Sequence, residues 1–161
     1  MTATVSIIIG SDSDMNLAKK CSETLDSLSI DNSINVYSAH RSPELVAEHL
    51  KACEEGGTKV FIAMAGLAAH LAGAVASKTI KPVIGVPGDG GPLQGFDSLL
   101  STVQMPKGVP VATVAIGSAG AVNSAILAAQ MISLSSPEVE QSLKKQREDS
   151  VKSIEQINKD L

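Results

Sequence analysis

Three short segments carry side chains whose types and spacing could do chemistry. Ser38-Ala39-His40-Arg41-Ser42-Pro43-Glu44 sets a histidine, able to exchange protons near neutral pH, beside one of only two arginines in the chain. A guanidinium offers a planar fork that matches phosphate, so the pair reads as an acid/base next to an anion anchor. The plainer alternative is a surface loop whose His and Arg are merely solvated. Gly10-Ser11-Asp12-Ser13-Asp14 precedes a helical pattern, where backbone N–H groups and a helix N-terminus could cradle a phosphate. Equally, Ser13 or Asp14 could be an ordinary N-cap. Two aspartates repel an anion, so a bound ligand would place sugar hydroxyls at Asp14 and its phosphate at Ser11. In Ala65-Gly66-Leu67-Ala68-Ala69-His70-Leu71-Ala72-Gly73, small residues allow a ligand to approach the backbone, and His70 opens a helix facing the same mouth. A satisfied histidine on an alanine-rich packing helix is the competing reading.

Other chemistries lack support. Neither GxxxxGK[ST] nor GxGxxG occurs, which removes the main sequence signal for nucleoside triphosphates and dinucleotides. No GxSxG and no cysteine in a glycine turn suggests a nucleophilic triad. His49 stands three after Val46 and four before Cys53, on the core side of its helix, and His and Cys spacing predicts no metal site.

The elements that must position these segments follow from hydrophobic patterning. Apolar, β-branched runs recur at Val5–Ile9, Ile34–Tyr37, Val60–Met64, Val83–Val86 and Val111–Ile116, mostly without period-2 alternation, as in strands covered on both faces. Helical spacing lies between them, at Leu17, Cys21, Leu25 and Leu28 and again at Val46, His49, Leu50 and Cys53. Alternating strands and helices predict an α/β domain of three layers, α/β/α, with a five-stranded parallel sheet in the flavodoxin-like order 2-1-3-4-5. Ligands then bind beyond the carboxyl ends of the strands, where the first three loops are neighbours. Ser42 and Pro43 suit the N-cap and first position of the second helix. Gly- and Pro-rich segments at Gly88–Pro92 and Gln104–Gly108 read only as loops.

Composition bounds the rest. A chain of 161 residues, 43% hydrophobic and 19% charged, suits one globular domain spanning residues 1–161. A net charge of −4 with scattered basic residues argues against nucleic acid, and one tyrosine with two phenylalanines argues against a stacked flavin. Cys21 and Cys53 read as reduced core thiols, and no secretory signal is visible, so a cytoplasmic protein is expected. Gly108–Pro137 is 30 residues without a charge, yet Pro110, Gly117, Gly120 and Asn123 break it up, and it does not read as a membrane span. Its second half, Ala119–Leu134, is apolar or small nearly all round. Such a helix predicts cover by another copy of the chain, with Gly120, Ala125 and Ala129 at the contact. Residues 137–161 form a charged C-terminal helix, expected to dock on that oligomer.

The four segments Gly10–Asp14, Ser38–Pro43, Ala65–Leu71 and Val103–Val111, in this order and spacing, resemble the class I aminoimidazole ribonucleotide carboxylase family, the N5-carboxyaminoimidazole ribonucleotide mutases of purine biosynthesis. The similarity runs from about Val5 to about Leu134, and Ser-Ala-His-Arg with Gln-Met-Pro carries most of its specificity. This resemblance implies an octamer with no metal and no organic cofactor, acting on a small ribonucleotide by moving a carboxylate from an exocyclic nitrogen to a ring carbon. It implies His40 as the catalytic residue; Ser11, Asp14 and Arg41 on the ribose phosphate with Ser38 beside it; and Gly66, Ala68, His70 and Met105 around the imidazole and the migrating carboxylate. Arg41, where a related branch usually carries lysine, favours the mutase over direct carboxylation of aminoimidazole ribonucleotide. A noncatalytic flavodoxin-like nucleotide-binding module is the remaining alternative. Leu67 and Ala72 stand where the family often has Gly and Pro.

Overall fold

A computed structural model of the chain describes residues 3–161. Strands β1 (Val5–Ile9), β2 (Asn32–Val36), β3 (Val60–Ala65), β4 (Val83–Pro87) and β5 (Ala112–Thr113) are separated by helices α1 (Met15–Ser27), α2 (Pro43–Glu55), α3 (Leu71–Ala76) and α4 (Phe96–Val103). Helices α5 (Gly117–Ser133) and α6 (Pro137–Asp160) follow. All strand pairs are parallel and the order is β2-β1-β3-β4-β5, as the patterning predicts.

Successive side chains of a strand point to opposite faces, so an unbroken apolar strand feeds two cores. Ile7, Ile9, Ile62 and Met64 meet Cys21 and Leu25 of α1 and Ala121, Ala125 and Ala128 of α5 on one face. On the other, Ile8, Phe61 and Ala63 meet Val46 and Leu50 of α2 and Leu71 and Val75 of α3. Truncating a buried leucine such as Leu25 to alanine costs about 2–5 kcal/mol.

Four details depart from the sequence reading. The second strand begins earlier, at Asn32, because β2 is an edge strand whose half-buried face tolerates Asn32, Ser33 and Asn35. The fifth pairs only at Ala112 and Thr113, opposite Ile84 and Gly85, because it lies at the other edge with a neighbour on one side only. Between the two Gly- and Pro-rich loops stands α4, whose polarity is inverted. Ser98 and Thr102 face inward, and Phe96, Leu100 and Val103 are exposed. Finally, the covering of α5 by another copy is corrected at the residues named for it. Ala125 and Ala129 are wholly buried within the chain, where α1, the sheet and α6 enclose them. A Cβ at Gly120 would collide with the Ala115 carbonyl and crowd Val86, so its close approach is to its own chain. Exposed apolar side chains lie instead on α4 and along the later part of α6.

Helix α6 rests on the core through Val139 and Leu143, while Val151, Ile154 and Ile157 further along are exposed. Among the described residues no helix is long and apolar enough to cross a membrane, and the uncharged stretch is divided between β5 and α5.

Candidate functional site

Ile9 at the end of β1 stands in register with Val36 of β2 and Met64 of β3, so the loops that follow emerge side by side. Together with the β4–α4 loop they enclose a cleft of about 910 Å³ at the carboxyl edge of the sheet. Ser11, Asp14, Ser38, His40, Arg41, Gly66, Ala68 and His70 all line it. Met105 does not. Its sulfur lies 3.3 Å from where a Cβ at Gly73 would stand, against α3 and outside the cleft of one subunit.

The first loop is a 3-10 turn over Asp12–Asp14. Its cap is Ser11, whose Oγ accepts from the Ser13 N–H at 3.4 Å and donates to Asp12 Oδ1 at 3.0 Å, rather than Ser13 or Asp14. The Asp14 side chain makes no capping bond at the start of α1 and remains available to the cleft. Burial, followed by the charges of Asp12 and Asp89, pushes the Asp14 carboxyl above its ordinary range. Negative charge is thus already crowded here, and the cations lining the cleft are Arg41 and Lys20.

The second loop ties itself to the first. Arg41 Nη2 donates to the Gly10 carbonyl at 2.9 Å, and the Arg41 N–H donates to Ser38 Oγ at 3.2 Å. Helix α2 starts where Ser42 and Pro43 predict, but the Ser42 hydroxyl turns back instead of capping, accepting from the Ser38 N–H and donating to the Ser38 carbonyl, each at 3.1 Å. These bonds fix the backbone on both sides of His40 and leave its ring exposed to the cleft. Across the cleft mouth, His40 Nε2 lies 2.8 Å from His70 Nδ1, the rings nearly perpendicular with centroids 4.9 Å apart. One proton joins the two nitrogens, so one ring donates and the other accepts.

Among the cleft residues that the sequence reading did not single out are Lys20 and Asp89. Lys20 Nζ donates to Ser118 Oγ at 2.6 Å, linking α1 to the first turn of α5, and Asp89 enters from the β4–α4 loop. Asn16 and Lys20, four apart on the polar face of α1, were the available signal for the lysine. For Asp89 it was the position just past the end of β4.

His49 sits elsewhere, as its spacing predicts. Its Nε2 lies 2.9 Å from the buried Ser6 Oγ and 3.3 Å from Cys53 Sγ, the Tyr37 ring covers it at 4.8 Å, and burial lowers its pKa. Cys21 is wholly buried. Burial pushes its thiol up to about 12, against a partly offsetting hydrogen bond with Ser124.

Residues 4–153 match the family described as AIR carboxylase. The N5-carboxyaminoimidazole ribonucleotide mutase of Pyrococcus abyssi is 50% identical over 145 residues, covering 90% of this chain and 82% of that one. The Bacillus subtilis protein of the same name is 47% identical over 154 residues, covering 96% and 95%. The crystal structure of Treponema denticola PurE superposes with a TM-score of 0.88 at 31% identity, covering 98% of this chain and 97% of that one.

Proposed function

The chain belongs to the AIR carboxylase family, and from that membership we infer that it is an isomerase of purine biosynthesis. It moves the carboxylate of N5-carboxyaminoimidazole ribonucleotide from the exocyclic nitrogen to ring carbon 4. The reaction needs one proton delivered to the nitrogen, which releases carbon dioxide and the free amine. After carbon 4 captures the carbon dioxide, the proton on that carbon must be removed.

The observation that carries the residue roles is the meeting of His40, His70 and Arg41 in one cleft. His40 delivers the first proton and removes the second, since an imidazole serves as both acid and base near neutral pH. His70 orients the His40 ring. Arg41 holds the phosphate, with Ser11 and Ser38 adding hydroxyls, and Asp14 accepts from the ribose hydroxyls. Gly66 and Ala68 let the imidazole lie close to the backbone. The inverted polarity of α4, with Phe96, Leu100 and Val103 outward, supports an assembly of copies, eight in the reading that the family resemblance suggests. Met105 reaches a substrate only if such an assembly, or a loop movement, brings it to a cleft. Free, buried Cys21 and Cys53 fit a reducing compartment, the cytoplasm.

The test compares two substrates on the purified protein. N5-carboxyaminoimidazole ribonucleotide is expected to give the 4-carboxy product readily, and aminoimidazole ribonucleotide with bicarbonate poorly. Equal turnover of both would replace the isomerase by a direct carboxylase.

A further inference from the structure

The inverted polarity of α4 leads back to the cleft. Ser98 is wholly buried, and its hydroxyl lies 2.6 Å from the Gly88 carbonyl and 2.9 Å from the Gly95 carbonyl. A serine has one proton to donate. The Gly95 carbonyl already accepts from the Leu99 N–H at 2.9 Å, whereas among the described residues the Gly88 carbonyl has no other donor. The proton therefore goes to Gly88, at the shorter distance. Ser98 reaches that carbonyl because α4 lies almost on the strand: a Cβ at Gly85 of β4 would collide with the Thr102 methyl group.

Gly88 passes the constraint on. Its N–H donates to the Ala65 carbonyl at 2.8 Å, and a Cβ on it would come within 3.1 Å of both the nitrogen and the Cα of Gly66. The β3–α3 and β4–α4 loops are thus pressed backbone to backbone, with Gly88 held by α4 at its carbonyl and by the end of β3 at its amide. Ala65, Gly66 and Ala68 line the cleft, and Ser98 stands behind them, outside it. The isomerase reaction gives this support a task. Protons must pass between His40 and two different atoms of one ring, the exocyclic nitrogen and carbon 4, while the nucleotide stays bound. Ionic anchors fix the phosphate end, but the aminoimidazole ring carries no charge for them to hold. Its position against His40 is set by the backbone wall on which it lies, and a misplacement of about 1 Å can cost about 10²-fold in rate.

We propose that Ser98 is a positioning residue for the isomerase reaction: its hydroxyl, through the Gly88 carbonyl, holds the Ala65–Ala68 backbone where it brings the imidazole ring to His40. The proposal rests on the isomerase reading above. Two ligands separate the ends of the nucleotide. Ribose 5-phosphate engages only the phosphate and sugar contacts, aminoimidazole ribonucleotide adds the ring, and the ratio of their dissociation constants reads the ring's share. Ser98→Ala leaves a buried carbonyl without its donor, so the loop shifts. It should bind ribose 5-phosphate as wild type does, lose several-fold in affinity for aminoimidazole ribonucleotide, and lose about tenfold or more in kcat. Ser98→Cys, a weaker donor of similar size, should fall between the two. Gly88 is not at a positive φ, so Gly88→Ala suits its backbone and displaces Gly66 from the other side of the same contact, and it should give the same pattern with Ser98 intact. A merely structural role would lower the thermal midpoint and weaken both ligands alike. An unchanged affinity ratio in Ser98→Ala and Gly88→Ala overturns the proposal, and should Ser98→Ala fail to fold, Ser98→Cys and Gly88→Ala decide it. Absence of any product from the wild type, or no preference there for aminoimidazole ribonucleotide over ribose 5-phosphate, instead overturns the isomerase reading itself, and the proposal with it.

Discussion

His40 and His49 lie nine residues apart in the chain and occupy opposite environments. His40 stands on the loop after β2 with its ring exposed, its backbone braced by the Ser38, Arg41 and Ser42 bonds, and its one side-chain partner among the described residues another exposed histidine. His49 stands on α2, turned toward the sheet, and its ring is occupied by Ser6, Cys53 and the face of Tyr37. Both are hydrogen-bonded histidines. What separates the proposed proton carrier from the structural group is access: the His40 ring is open to the cleft, whereas every proton placed on His49 must be accommodated by a site that disfavours charge.

The sharpest way to break this contrast is His40→Asn, which keeps size and a hydrogen-bonding group but cannot shuttle a proton. Turnover should fall by ~10²–10⁴-fold, with nucleotide binding and thermal midpoint unchanged. Steady-state kinetics and calorimetry on the same preparation check it, and retention of more than about a tenth of the activity would return His40 to the solvated-loop reading.

His49→Ala should do the reverse. Removing the ring withdraws the best partner of the buried Ser6 hydroxyl, leaving it with only the Asn35 amide at 3.4 Å, and opens space under Tyr37. Leaving a buried polar group without a good partner costs about 1–3 kcal/mol, read from urea unfolding, while turnover per folded subunit stays near wild type. A variant as stable as wild type but inactive would exchange the roles assigned to the two histidines.

The smallest effects are in pH dependence, and they have opposite signs at the two places. The pKa of His49 is depressed in the fold, so its contribution is present above the ordinary value of 6.5 and is lost as pH falls through that value toward the folded one. Asp14 is raised, so its contribution is present below the ordinary 3.8 and is lost as pH rises through the folded value. Asp14→Asn should therefore raise the thermal midpoint at neutral pH while weakening nucleotide binding, and the gain should vanish below about pH 3.8. A midpoint at neutral pH lower than wild type would mean that the ionised carboxylate stabilises the fold.

Much of this molecule is legible in the chain alone. The strands β1, β3 and β4 are buried on both faces, so their apolar runs are unbroken and their places could be read almost to the residue, and with them the parallel order and the end of the sheet at which ligands bind. The loop residues His40 and Arg41 could be singled out because the chemistry proposed for them, proton exchange and phosphate recognition, restricts residue type more than packing does. Edge and inverted elements were not legible in the same way. Asn32 and Ser33 can pair in β2 because one face of an edge strand needs no apolar cover, and the apolar residues of α4 point outward, against the rule by which helices are placed.

Which groups meet was decided only by the tertiary structure. Nothing in the spacing of residues 40 and 70 brings their nitrogens to 2.8 Å, or sets the Ser98 hydroxyl on the Gly88 carbonyl, or hides Ala125 and Ala129 inside one subunit. Local pattern records how a residue relates to its own element, through periods of two and of three to four residues. Contacts between elements depend on strand order, register and the angle at which each loop leaves the sheet, and those are set by the packing of the whole domain at once.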